Sequence, residues 1–504
     1  MTITIKGHDF STELERLYGL FFPDEGVRFV KEDDQAGRGA ADDNTPAADG
    51  ANSASVIREP LPGGGARIVS TLSVGGDTDT VSEVISAGRD DDRRSRELAL
   101  AGGLYTLLCR RTGYTPPWGM LTGVRPVKLM RMLLEDCSEQ EARRVFIEDF
   151  RCSPEKYGLC LATEQREREI LALSRDDSFS LYISIPFCPT RCDYCSFVSQ
   201  SVEKSFRLVP EYVRLLIEEI KATGELAKEL GLRLETVYMG GGTPTTLSAE
   251  QLSRVLGAVS ESFDMSGVRE MTVEAGRPDT VTREKLEAIK AAGTGRISIN
   301  PQTLSDEVLR AIGRRHTAAQ FFEAMELARS VGFDSINTDL IAGLTGDDYE
   351  GFASTLSGVM ALKPENITVH TLARKRASRL VTSGEIGPDT EGADVGRMLS
   401  LCAARLPEAG YHPYYLYRQS HMSGNLENVG WAEGDTDGLY NVFIMDETHT
   451  ILAAGAGGVT KLRQPRVNNI ERIYNFKFPY EYNTRFEQIL ARKERVKQFY
   501  AEFC

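Results

Sequence analysis

The sequence lacks several features that would each assign it to a familiar class. No apolar run approaches the roughly 20 residues of a membrane-spanning helix, so we expect no membrane span. Nine cysteines, odd in number and mostly scattered, exclude a disulfide framework. Lys and Arg number 59 against 73 Asp and Glu, a net charge of −14, which disfavours nucleic acid as a partner. The N-terminus lacks the basic start, apolar stretch and small-residue cleavage site of a signal peptide, which predicts a cytoplasmic protein.

What is present predicts more than one structural unit, because 504 residues exceed the usual size of one hydrophobic core. Residues 1–178 are interpreted as an N-terminal α+β accessory domain, with a strand over 2–5, a helix around 13–20 and strands near 66–74. Within it, residues 31–55 are rich in Gly, Ala, Asp and Asn and almost without large apolar side chains. Such a segment cannot offset its ordering entropy, so we predict a disordered insertion.

A regular alternation of short apolar strands with amphipathic helices begins near residue 179 and continues to 392. The predicted strands cover 181–187, 235–240, 270–276, 296–301, 335–344 and 366–372. The predicted helices cover 210–230, 248–263, 282–292, 318–331 and 349–362. This order indicates an α/β fold with a parallel sheet, in which ligands collect at the carboxyl ends of the strands. Residues 393–504 are predicted to close the open side of the sheet, with strands over 438–446 and 450–460 and an exposed charged helix from 479.

Three cysteines crowd into eight residues directly after the first of these strands. Cys188, Cys192 and Cys195 follow the spacing C-x3-C-x2-C within PFCPTRCDYC. Three thiolates on one loop can each ligate one iron of a [4Fe-4S] cluster and leave the fourth iron open. A zinc site or a chance grouping is the alternative, although zinc takes a fourth protein ligand and favours paired C-x2-C units. The second strand ends in GGGT, residues 240–243, and glycines there allow close approach of a ligand, although most glycine runs are simple turns.

The segment LYISIPFCPTRCDYCSF resembles the cluster loop of radical S-adenosylmethionine enzymes, in particular the oxygen-independent coproporphyrinogen III oxidase family. The resemblance covers about residues 180–465 and implies a partial (β/α)6 TIM-like barrel with a C-terminal cap. It implies that the three cysteines hold a [4Fe-4S] cluster, whose open iron chelates S-adenosylmethionine. The residues implied around one or two S-adenosylmethionine molecules are Tyr182, Tyr194, Gly241, Gly242, Thr243, Glu274, Gln302, Arg314, Asp339 and Ala373. Tyr182 could equally be a core-strand tyrosine.

Within the family the chain is most similar to the HemZ branch, which also carries an extra N-terminal domain. The resemblance implies oxidative decarboxylation of coproporphyrinogen III to protoporphyrinogen IX by a 5′-deoxyadenosyl radical, in haem biosynthesis without oxygen. It also implies a flavodoxin- or ferredoxin-type electron donor, and we expect a monomer. Tyr417, Arg418, Gln419, Asn428 and Gly457 are candidates for substrate contact or for a structural cap.

Two positions depart from the established decarboxylating oxidases. Phe197 stands where those enzymes have a further cysteine, and Ser184 stands where they have a histidine. The Phe197 pattern is shared with the haem-chaperone branch, HemW. The alternatives are therefore a haem-binding chaperone, or a radical enzyme that acts on another substrate or another tetrapyrrole.

Overall fold

The structure is a computed structural model. It describes residues 1–23, 25–32, 52–195, 200–373, 390–419, 423–465, 467 and 469–503. Most of the predicted insertion 31–55 lies outside the described residues, as does Phe197. The chain divides into one unit of Met1–Pro126 with Met130–Gly158 and a second unit of Val127–Leu129 with Leu159–Cys504. No helix among the described residues is long and apolar enough to cross a membrane.

The first unit is built on a five-stranded sheet of order β2-β1-β3-β4-β5. Its strands are β1 (Thr2–Lys6), β2 (Arg28–Lys31), β3 (Ser53–Pro60), β4 (Ala66–Val74) and β5 (Asp77–Ile85). The helices along this part of the chain are α1 (Ser11–Tyr18), α2 (Ala87–Asp91), α3 (Arg93–Thr112), α4 (Pro126–Asp136), α5 (Glu139–Arg144) and α6 (Pro154–Leu171), with a π-helical turn at Val145–Asp149. Burial alternates along β1 and β3, so one sheet face packs on α1 and α3 through residues such as Ile3, Val56 and Leu104. The domain limits 1–178, 179–392 and 393–504 stay predictions.

The second unit contains an 11-stranded sheet of order β14-β15-β13-β12-β11-β10-β9-β6-β16-β17-β18. Its strands are β6 (Ser178–Ile185), β9 (Arg233–Gly241), β10 (Glu270–Glu274), β11 (Arg296–Ser298), β12 (Ser335–Ala342), β13 (Asn366–Thr371), β14 (Tyr411–Arg418), β15 (Glu427–Glu433), β16 (Thr450–Ala454), β17 (Val459–Arg463) and β18 (Ile470–Tyr474). A separate two-stranded ribbon pairs β7 (Phe187–Cys188) with β8 (Gln200–Ser201). The six predicted strands are present and pair in parallel, which confirms the α/β fold.

Helices alternate with these strands along the chain, and the last three helices follow β18. They are α7 (Val202–Ser205), α8 (Val209–Glu229), α9 (Ala249–Ser262), α10 (Arg283–Ala291), α11 (Asp306–Ala311), α12 (Ala318–Val331), α13 (Tyr349–Ala361), α14 (Thr390–Glu408), α15 (Leu439–Asp446), α16 (Pro479–Thr484), α17 (Phe486–Arg492) and α18 (Glu494–Phe503). Capping boxes begin α9 at Ser248 and α12 at Thr317. These reciprocal hydrogen bonds satisfy backbone donors that the first turn leaves free.

The strands of the C-terminal region extend both edges of the sheet. β15 pairs with β13 in antiparallel orientation, and β16 pairs in parallel with β6, as a seventh parallel strand. The predicted strand over 438–446 is wrong: the segment forms α15. Its apolar run has no clear period, and the carboxylate of Glu270 accepts hydrogen bonds from the backbone N–H groups of Leu439 (2.6 Å) and Tyr440 (3.3 Å). A tertiary contact therefore satisfies the start of this helix.

The prediction of an exposed helix from residue 479 is also wrong in part. Three short helices replace it, and Tyr482, Ile489 and Phe499 on them are buried. The fully buried carboxylate of Glu219 on α8 anchors them, because it accepts the hydroxyl of Tyr482 at 2.7 Å and lies 3.1 Å from the ammonium of Lys493. The same carboxylate accepts the backbone N–H of Gly455, just beyond β16, at 2.8 Å.

Candidate active site

The cysteine loop and the glycine segment lie side by side, because β6 and β9 are parallel neighbours. Ser184 pairs with Gly240 and Ile185 with Gly241, so the two strands end at the same level. Beyond them the N–H of Gly242 donates to Ile185 O and the N–H of Thr243 donates to Phe187 O, both at 2.7 Å. The hydroxyl of Thr243 lies 3.6 Å from Cys188 Sγ. The predicted cofactor residues 241–243 are thus docked on the loop that carries the cysteines.

Only glycine fits this approach. A Cβ on Gly242 would lie 2.5 Å from Phe187 O and 2.8 Å from Ile185 O, far inside van der Waals contact. Gly241 has φ of +103°, a region that side chains disfavour. The glycine run is therefore a close-approach segment and not an ordinary exposed turn.

Two arginines flank the second cysteine. Arg277 Nη1 lies 3.7 Å from Cys192 Sγ and 3.1 Å from Thr190 Oγ1. The buried guanidinium of Arg314 donates to the hydroxyl of Tyr194 at 3.2 Å and to Asn300 O at 2.6 Å. Arg314 therefore ties the cysteine loop to the region beyond β11. The sequence singled out Arg314 and Tyr194 but missed Arg277, which has no motif of its own.

The donor set fits a [4Fe-4S] cluster, because each of the three thiolates on the cysteine loop can bind a different iron. Zinc would take a fourth protein ligand. Gln302 supplies a second indication, because its buried Oε1 has no hydrogen-bond partner and its backbone has φ of +70°. A strained residue with an orphaned acceptor is typical of a ligand site.

Two carboxylates, Glu274 at the end of β10 and Asp339 on β12, lie near the carboxyl ends of the parallel strands. Burial raises the pKa of Glu274 to about 7, against the opposing hydrogen bond from the hydroxyl of Tyr238 at 2.5 Å. Asp339 accepts hydrogen bonds from Asn300 Nδ2 and Asn337 Nδ2, both at 2.7 Å. Burial also raises the pKa of Asp339, but His370, Asn337 and the charge of Arg314 outweigh that effect and hold it below its usual value. Near neutral pH Asp339 is thus ionised while Glu274 is only partly ionised, and Glu274 is half-buried.

Three stacked tyrosines lie next to Glu274, to which Tyr238 donates its hydroxyl. The rings of Tyr182, Tyr238 and Tyr440 lie with centroids 4.5 to 6.3 Å apart and planes within about 21° of one another. Burial raises the pKa of the Tyr182 and Tyr238 hydroxyls, so both stay neutral. Tyr182 is thus half-buried and packed against two other tyrosines, and its role at the cofactor stays a prediction. Tyr440 was missed because its segment was predicted as a strand, and Tyr238 because one residue inside a strand pattern carries no functional signal.

The remaining candidate residues lie on both sides of the central parallel strands, beyond β13, on β14 and β15, and after β16. Ala373 follows β13 by two residues, and Asn428 Oδ1 accepts the N–H of Thr371 at 2.8 Å. Tyr417 pairs in register with Asn428 on the β14 side, whereas Gly457 lies in the turn after β16, on the other flank of the sheet. The candidate substrate residues are therefore divided between the two edges of the sheet.

These features define a class: a parallel α/β sheet with a three-cysteine loop after its first strand is a radical S-adenosylmethionine fold. The sequence profile of the Radical SAM superfamily matches residues 182–357. The superfamily's cofactors, a [4Fe-4S] cluster and S-adenosylmethionine, are the cofactors of this chain.

Similarity to individual proteins assigns the chain to one family within this superfamily. The chain is 39% identical over 393 residues to the oxygen-independent coproporphyrinogen-III oxidase-like protein HemZ of Bacillus subtilis strain 168, covering 77% of this chain and 78% of that protein. It is 37% identical over 261 residues to the heme chaperone HemW of the same strain, covering 50% of this chain and 67% of HemW. The crystal structure of coproporphyrinogen III oxidase HemN from Escherichia coli aligns over 64% of this chain and 72% of that chain, with 24% identity and a TM-score of 0.49. The chain belongs to the oxygen-independent coproporphyrinogen III oxidase-like family of radical SAM proteins.

Proposed function

We propose that the chain catalyses the oxidative decarboxylation of coproporphyrinogen III to protoporphyrinogen IX without oxygen. The observation that carries the radical chemistry is the contact between the glycine segment and the cysteine loop, where Gly242 and Thr243 donate to the backbone of the loop. The porphyrinogen substrate is supported by the 39% identical relative whose name describes it as coproporphyrinogen-III oxidase-like. We further propose that the protein is a cytoplasmic monomer and that a flavodoxin- or ferredoxin-type protein supplies its electrons.

Each part of the site has a role in this proposal. Cys188, Cys192 and Cys195 hold the cluster, while Arg277 and Arg314 balance the negative charge that thiolates bring. When bound, the cluster and S-adenosylmethionine would supply 5′-deoxyadenosyl radical chemistry, by which two of the substrate's propionates would each lose a hydrogen atom, carbon dioxide and one electron, the electron going to an external acceptor, to become vinyl groups. We place S-adenosylmethionine against the residues predicted from the family: Tyr182, Tyr194, Gly241, Gly242, Thr243, Glu274, Gln302, Arg314, Asp339 and Ala373.

The chain's own residues prepare this site for a reactive species. Three stacked tyrosines, with Tyr440 buried and Tyr182 and Tyr238 half-buried, line this region with neutral hydroxyls and limit the access of water. Gln302 offers an unpaired carboxamide oxygen and Asp339 a carboxylate, which are acceptors for the hydroxyl and ammonium groups of a nucleoside amino acid. Asn300 and Asn337 already hold the carboxylate of Asp339 in place. Asp339 therefore positions the ligand without a rearrangement of its own side chain.

A haem chaperone is the second candidate, because the chain is 37% identical to HemW and shares its Phe197 pattern. Ser184, at the position of the oxidases' histidine, donates its hydroxyl to Ala456 O at 2.7 Å. A serine committed to that contact is a structural residue in this chain. The two functions differ in what the protein does with a tetrapyrrole, since one converts coproporphyrinogen and the other carries haem.

The test uses anaerobically reconstituted protein with reductant, S-adenosylmethionine and coproporphyrinogen III. We expect protoporphyrinogen IX and 5′-deoxyadenosine from the wild type, and neither from Cys188→Ala. Cys402→Ala, at a buried cysteine on α14, is the matched control and should retain both products. Absence of porphyrin conversion together with stoichiometric haem uptake would establish the chaperone instead.

A further inference from the structure

The surface beside the cysteine loop has a charge opposite to that of the whole chain. The described loop residues 189–195 and 200–208, with the turn 313–316, carry four exposed cations, Arg191, Lys204, Arg207 and Arg315, against the two carboxylates Asp193 and Glu203. With the half-buried Asp193 counted, the local charge of these side chains is four minus two, or +2, whereas the whole chain carries −14. A local positive charge attracts an acidic partner, which the net negative charge of the whole chain repels.

A strand pairing, a hydrogen bond and an ion pair join these segments into one surface. Cys188 pairs in register with Ser201 through the β7–β8 ribbon, so α7 begins directly beside a cluster ligand. The turn joins from the other side, since Thr190 Oγ1 donates to Gly313 O at 3.1 Å. Arg315 Nη1 lies 3.0 Å from the carboxylate of Glu203, which links the turn to α7.

An exposed aromatic side chain lies among the cations. Phe206 is 59% exposed, although burial of such a ring is normally favourable. The guanidinium carbon of Arg207 lies 5.7 Å from its ring centroid. Aromatic and arginine side chains are the residues enriched at protein interfaces, and an aromatic centre with a charged rim is a common arrangement there. We call Arg191, Lys204, Phe206, Arg207 and Arg315 the basic face.

We propose that the basic face docks an acidic protein that delivers single electrons to the cluster. This inference rests on the proposed function, because it places a redox cluster in the adjacent loop. In the docked pair the carrier loses one electron and the cluster gains one, and no bond forms or breaks. A small charged contact suits such a partner, because redox encounters are transient and bury little area. Charge complementarity would act mainly on the rate of association.

The test measures reduction of the oxidised holoprotein by a reduced acidic flavodoxin, using stopped-flow absorbance under anaerobic conditions. Lys204→Glu combined with Arg207→Glu should lower the second-order rate constant roughly tenfold at low salt and weaken its dependence on ionic strength. Phe206→Ala should weaken binding of the oxidised flavodoxin, measured by titration calorimetry. Reduction by dithionite should stay unchanged in every variant, because that small reductant does not use the face.

The matched control is Lys221→Glu combined with Arg254→Glu, which makes the same charge change at exposed positions on α8 and α9. The inference is overturned if flavodoxin reduces the basic-face variant at the wild-type rate, or if the control slows by as much. If charge reversal prevents cluster loading, Lys204→Gln with Arg207→Gln tests the same point with a smaller expected loss. Failure of the proposed function would instead appear as a reduced cluster that yields no 5′-deoxyadenosine, an outcome that leaves the electron-transfer rate measurable.

Discussion

Replacing Gly242 by alanine tests whether the glycine segment must lie against the cysteine loop. The new Cβ would start 2.5 Å from Phe187 O and 2.8 Å from Ile185 O. Ordinary carbon to oxygen contacts begin near about 3.3 Å, so the segment must withdraw by about 0.8 Å. The hydrogen bonds from Gly242 and Thr243 to the loop, both 2.7 Å now, would then stretch to about 3.5 Å, the limit of hydrogen bonding.

Two weakened hydrogen bonds cost about 2 kcal/mol, and residual overpacking raises the total to about 3 kcal/mol. If this cost falls on the binding conformation, S-adenosylmethionine should bind roughly 30- to 150-fold more weakly, at about 1.4 kcal/mol for each tenfold change. Equilibrium dialysis with labelled S-adenosylmethionine on reconstituted protein measures the affinity, and iron and sulfide analysis verifies the cluster. Gly257→Ala on α9, where a Cβ meets no atom within 4 Å, is the control. Wild-type affinity in Gly242→Ala would refute the steric reasoning.

Three further predictions concern single side chains. Burial raises the pKa of Glu274 from 4.5 to about 7, so ionisation of Glu274 lowers the stability of the folded state as pH rises across that range. The free energy of unfolding of Glu274→Gln, measured in urea, should therefore gain up to about 3 kcal/mol over wild type between about pH 5 and pH 8. Parallel pH profiles of the two proteins would contradict this. Arg314→Lys loses the planar fork that joins Tyr194 to Asn300, so iron content after reconstitution should fall several-fold, whereas Arg315→Lys at the surface should load normally. Glu219→Ala leaves Lys493 without its buried partner and should lower the free energy of unfolding by about 3–5 kcal/mol, with a smaller loss in Glu219→Gln; equal losses would show that charge pairing is not the cause.

The sequence predicted the central strands and helices because their hydrophobic periods are clear and long. The helix over 318–331 was predicted with the bounds that α12 has, and the strand over 366–372 differs from β13 by one residue. The same periodicity places the glycine run 240–242 at the carboxyl end of a strand, whereas the cofactor role of residues 241–243 is implied by the family resemblance and stays a prediction.

What the sequence could not predict depends on contacts between distant residues. Glu270 turns an apolar segment into α15 by accepting its first N–H groups, and no local pattern records that acceptor. Arg277 reaches Cys192 across 85 residues of chain, and Tyr440 completes a stack with rings from two separate strands. These contacts form only in the tertiary fold, so the hydrophobic periodicity of short segments does not predict them.

The parallel pairing of β16 with β6 has a consequence for the order of events during synthesis. Tyr182 pairs with Ala453, so one edge of the strand that leads into the cysteine loop has no partner until the ribosome has made most of the chain. Pairings this distant in sequence form late and slowly, and an open strand edge invites association with other chains meanwhile. Both edges of β6 are therefore paired only after the chain has been made beyond residue 454.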